Sequence, residues 1–123
     1  MSKFKGILQN LEGCLSEFGY PVYYGRSFAK ENDAWNYIVF NRQSFNKSGT
    51  NSCDMNYYYQ VHIIMENYIE EDLEINIIKA IQNKAKLKLA GPAQYNYVTK
   101  NNTDIVVEMV TLTFTKTHKG MDL

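Results

Sequence analysis

The chain has 123 residues, with 13 Lys and Arg balanced by 13 Asp and Glu. That length suits one domain spanning 1–123, burying roughly two-thirds of the surface its unfolded form exposes. Zero net charge removes the broad attraction on which non-specific nucleic-acid binding rests, and no run approaches the ~20 apolar residues of a membrane helix, so neither nucleic acid nor membrane is an expected partner.

In chain order, the first element is a helix over 4–18. Phe4, Ile7, Leu8, Leu11, Cys14, Leu15 and Phe18 recur at three and four and form one apolar stripe. The lysines before it do not make a signal peptide, because Gln9, Asn10 and Glu12 interrupt the apolar run. Cys14 lies on the stripe and reads as a small buried hydrophobe. Cys53 is distant, and with no CxxC or Cys/His grouping neither a metal site nor a disulfide framework is indicated; a reducing, cytosolic setting is the simplest reading. "GYP" at 19–21 ends the helix, and a short strand follows over 22–25.

"WNYIVFNR", 35–42, is a second strand that sets Trp35, Tyr37 and Val39 against Asn36, Ile38 and Phe40. The polar stretch "QSFNKSGTNSCD", 43–54, reads as a long loop. Phe45 is its one aromatic, and loops longer than ordinary hairpin connections are usually functional or disordered. "DMNYYYQVHIIMENY", 54–68, is the third strand. Its odd positions are apolar and face the core, while its even positions Tyr58, Gln60, His62 and Ile64 are only half polar. A second helix spans 70–88, with Leu73, Ile77, Ile78, Ile81 and Ala85 on its inner stripe. Its acidic start and lysine-rich end complement the helix dipole, which accounts for those charges without an anion or metal site. "AGP" stops it, and "QYNYV", 94–98, with "DIVVEMVTLTFTK", 104–116, forms a hairpin.

The order helix, three strands, helix, two strands predicts an α+β fold: an antiparallel-dominated sheet of about five strands with both helices on one face. The other face is then uncovered, yet several strands are apolar on both sides, so a further surface is expected to cover it. Chemistry is poorly supported. His118 falls in the tail "KTHKGMDL", where a frayed end holds no general base, and no nucleophile accompanies His62 in sequence. No phosphate-loop, dinucleotide or zinc-protease motif occurs, so no enzyme activity and no cofactor is expected.

The element order, together with "WNYIVFNR", "DMNYYYQVHIIMENY" and "VVEMVTLTFTKTHKG", resembles the tail terminator (tail completion) proteins of long-tailed bacteriophages. The resemblance covers nearly the whole chain and consists of strand patterns. It implies a structural virion protein at the head-tail junction, assembled in the host cytoplasm. Such a subunit forms a homo-oligomeric ring, a hexamer, that caps the tail tube, stops its polymerisation and joins the head. Its partners are other copies of itself, the major tail tube protein and a head-completion or connector protein. A head-closure or other neck protein, or a binding module using the exposed sheet for a peptide or small ligand, are the alternatives. The family supplies no active-site residues; pattern alone points to Phe45, Lys47, Asn51, Tyr58, Gln60, His62 and Ile64 as the subunit or partner interface, with Tyr58 the residue type favoured there.

Overall fold

The computed structural model describes residues 3–30, 32–47 and 54–119. Helix α1, Ile7–Ser16, starts at Gly6 and stops where Gly19 takes φ +84°, a left-handed conformation that glycine adopts without steric cost. All seven stripe residues from Phe4 to Phe18 face one core, with Leu11 and Leu15 fully buried and Cys14 nearly so. Burial pushes the Cys14 thiol pKa up, which fits its reading as an inert hydrophobe.

Strand β1, Val22–Tyr24, lies parallel to β2, Tyr37–Lys47, which is antiparallel to β3, Met55–Glu66. Helix α2, Glu71–Ala80, widens into a π-helical turn over Ile81–Ala85. Two further strands, β4 at Lys88–Leu89 and β5 at Gln94–Thr99, both pair antiparallel with β6, Val106–His118. The sheet order is β1-β2-β3-β6, with β4 and β5 one after the other along the far edge of β6. The fold is α+β with a mostly antiparallel sheet, as expected. One core joins Leu11, Leu15, Ile77 and Ile81 to Ile38, Phe40, Val61, Ile63, Val110, Leu112 and Phe114, so both helices lie on the same face.

Three expectations are corrected. The second helix ends at Ala85, because Lys86 turns left-handed at φ 60°. That turn swings Leu87 into the core at 1% exposure and sends Lys88–Leu89 into the sheet as an additional strand, where Ala90 N–H donates to Thr113 O at 2.8 Å. The 43–54 segment is not all loop: β2 continues through Lys47 after a register shift at Gln43, and Phe45 and Lys47 lie in register with Tyr57 and Met55. Phe45 stacks on Tyr57 with ring centroids 5.3 Å apart, a cross-strand aromatic pair that offsets the weak β propensity of Ser44 and Asn46. Finally, His118 is no frayed tail. It closes β6 opposite Met55, with its ring 4.7 Å from Tyr57.

Candidate functional site: the uncovered sheet face

Strand alternation carries the even residues of β3 and the odd residues of β6 to the side away from the helices. This outer face is graded from end to end. Toward the start of β2, Val39, Ile64 and Val107 form a small second core with Tyr23, Trp35, Tyr37 and Met109 packed against it. A shallow depression of about 260 Å³ lies there, bounded by Trp35, Tyr37, Ile64, Val98, Met109 and the ring of His62. Toward the other end the lining becomes Gln43, Tyr58, Gln60, Gln94, Thr111 and Thr113, around a polar depression of about 350 Å³.

His62 stands at the boundary between the two halves. Its Nδ1 is 2.9 Å from Thr111 Oγ1 and its Nε2 is 2.8 Å from Asn41 Oδ1. The Asn41 amide nitrogen donates to Gln60 Oε1 at 3.1 Å and to Arg42 O at 3.2 Å. The Asn41 oxygen is therefore the acceptor, His62 Nε2–H the donor, and Thr111 O–H donates to Nδ1. This network spans three strands and satisfies a neutral imidazole. Burial lowers the His62 pKa, which favours that neutral form.

A hydroxyl, an imidazole and an amide in line form a relay like that of nucleophilic hydrolases. Sequence reading missed the hydroxyl because Thr111 lies 49 positions away; the signal was the threonine alternation in "TLTFTK", which only pairing with β3 could place beside His62. Acyl transfer also needs donors aimed at a developing oxyanion. Thr111 lies in register with His62 on one side and Gln94 on the other, so the backbone N–H groups around its hydroxyl belong to the sheet ladders. Thr111, His62 and Asn41 thus form a polar seam across β6, β3 and β2.

The anticipated interface residues divide between surfaces. Tyr58, Gln60, His62 and Ile64 share the outer face, but Ile64 is only 6% exposed and is already packed within this chain. Phe45 and Lys47 pair with odd residues of β3 and so lie on the helix side, opposite Tyr58. Phe45 and Tyr58 still border one feature, a depression of about 440 Å³ around the β2 edge at the Gln43 bulge. Asn51 lies outside the described residues. Trp35, Tyr37, Asn41 and Met109 join the face without having been singled out as interface, although the alternation in "WNYIVFNR" already set Trp35 and Tyr37 on one side.

Among the described residues no group of three or more His, Cys, Asp and Glu is placed to hold a metal ion, and no helix is long and apolar enough to cross a membrane. No family model and no curated protein matches the chain. One solved structure, whose name describes no function, is similar over 95% of both chains at 12% identity with a TM-score of 0.48. So distant a likeness carries no argument about role.

Proposed function

We propose that this chain is a non-catalytic structural subunit that assembles into a ring of the tail-terminator kind, a hexamer capping a phage tail tube, ending its polymerisation and offering the surface that joins the head. One observation carries the reading. The sheet face away from the helices bears half-exposed Trp35, Tyr37 and Met109 beside a hydrogen-bonded polar seam, and neither helix covers it. Aromatic and Met side chains with satisfied polar neighbours are the composition of a protein interface. The relevant partners are further copies of the chain, the tail tube protein and a head-completion protein.

The test is assembly. Tyr37→Asp and Tyr58→Asp place a charge in each half of the outer face and are expected to leave the circular dichroism spectrum unchanged while abolishing rings by light scattering and electron microscopy. In a phage grown on complementing hosts, the same variants are expected to give over-long or headless tails. Normal-length tails joined to heads with both variants would sink the assignment. A wild-type chain that stays monomeric at every concentration, yet retains a peptide or small ligand on this face, would favour the binding-module alternative.

A further inference from the structure

The zero net charge conceals a separation of sign along the sheet. Helix α2 opens with Glu70 as its cap and Glu71, Asp72 and Glu74 in its first turn. Just before it, Ile69 N–H donates to Glu108 Oε1 at 2.7 Å, pinning the helix start to the beginning of β6. At the other end, Lys88 lies in register with Thr115. Helix and strand therefore run from a shared acidic end to a shared basic end. From Glu108 to Lys116 the strand covers about 26 Å at its usual rise.

The basic end is concave. Lys86, Lys88, Lys116 and Lys119 line a depression of about 460 Å³ in which Asp54 is the acidic group. Lys84, outside this depression, is paired with Glu17. At the acidic end Glu70, Glu71 and Asp72 are exposed. There Glu66, already paired with Lys100 Nζ at 3.3 Å, and Glu70 border a second depression of about 210 Å³ with Tyr20 and Tyr68, and Tyr68 is 65% exposed, an aromatic of the type that anchors interfaces.

We propose that copies of this chain associate head to tail, with the lysine-lined end of one seated on the carboxylate and tyrosine end of the next. This rests on the ring reading and gives the ring its direction. Pairing like ends about a two-fold axis would set lysine against lysine, whereas a head-to-tail contact matches charge at both ends of every subunit. Such heterologous contacts close into rings, or continue as filaments where the rotation does not close. The outer face contributes apolar area without polarity, and the charged ends fix orientation and speed encounter.

Two charge-reversed chains test the contact. Lys88→Glu with Lys119→Glu turns the basic end acidic, and Glu70→Lys with Glu71→Lys turns the acidic end basic. Each variant, folded by circular dichroism, is expected to remain monomeric by light scattering. A one-to-one mixture is expected to assemble, because reversed ends then face each other and native ends face each other, giving rings with an even number of subunits. Wild-type association is expected to weaken at least tenfold at about 1 M salt, where the Debye length falls to about 3 Å. Should a reversed chain fail to fold, Glu70→Gln with Glu71→Gln carries the same expectation of tenfold weaker association. Unimpaired assembly of any folded variant alone, or a folded mixture that stays monomeric, overturns the head-to-tail contact while leaving the ring reading standing. A wild-type chain that never assembles overturns both.

Discussion

On the helix side of the sheet, Ile38, Phe40, Val61, Ile63, Val110, Leu112 and Phe114 are all exposed by 1% or less. On the other side, the residues interleaved with them include Asn41, His62 and Thr111, half-buried and joined by side-chain hydrogen bonds. The same three strands thus hold an apolar layer and a polar seam back to back, separated only by the alternation of side chains. The first face is stabilised by area removed from water and by close packing, so its energy resides in volume. The second contributes little net energy per hydrogen bond but is costly to leave half-made. A truncation therefore reads differently on each face.

The largest effect is expected where α1 meets the sheet. Leu15→Ala, at a fully buried site, should cost ~2–5 kcal/mol in urea unfolding, and Ile78→Ala, at a half-buried site of α2, should cost less. A loss at Leu15 below about 1 kcal/mol would break the claim that the helix face holds the core. Thr111→Val comes next. It removes the hydroxyl that donates to His62 Nδ1 at nearly constant volume, and leaving that nitrogen unpaired should cost ~1–3 kcal/mol. A neutral outcome would mean that water replaces the hydroxyl and the seam is open.

A smaller effect sharpens the comparison through pH. The His62 pKa lies below its ordinary value because burial disfavours the imidazolium, so the folded state binds fewer protons there than the unfolded chain. Its stabilising contribution is fully present above the unfolded pKa of about 6.5 and is lost as pH falls from there through the folded value. Urea midpoints measured at successive pH values below neutrality should decline, and His62→Gln should remove part of that decline. An identical profile in the variant would place the titration elsewhere. The smallest effect on stability is expected at the tip of β2. Phe45 is 62% exposed, so Phe45→Ser should shift unfolding by no more than ~0.5 kcal/mol while weakening ring assembly through the edge depression it shares with Tyr58. A large stability loss would show that stacking on Tyr57 supports the fold itself.

How far each region was legible follows from the range of the interactions that made it. The apolar face of α1 was legible because its residues repeat at helical spacing and meet one core, but the helix expected over 4–18 is shorter, Ile7–Ser16, and Phe4 and Phe18 reach that core from outside it. The two faces of β3 were equally legible, since period-two alternation is local. The end of the second helix was misread. The apolar spacing of Ile81 and Ala85 continues the helical pattern, and only the approach of β6 at Phe114 and Thr115 rewards the left-handed turn at Lys86 that lets Lys88–Leu89 pair. The tip of β2 was misread for the same kind of reason. Ser44 and Asn46 carry no strand signal, and partners supplied by β3 hold them extended.

By itself, the sequence determined that two amphipathic helices and a set of alternating strands form an α+β layer with a helix-covered face, because periodicity of apolar residues is a property of neighbours along the chain. It also determined that Tyr58, Gln60, His62 and Ile64 share one side of a strand. Tertiary structure alone decided that Thr111 and Asn41 close around His62, that Ile64 is absorbed into this chain's own second core, that Phe45 lies across the sheet from Tyr58, and that Lys88 and Lys116 meet at one end of the sheet. Each of these depends on register between strands remote in sequence, and that register is set by the whole buried face choosing one alignment, a global optimum that no single segment encodes.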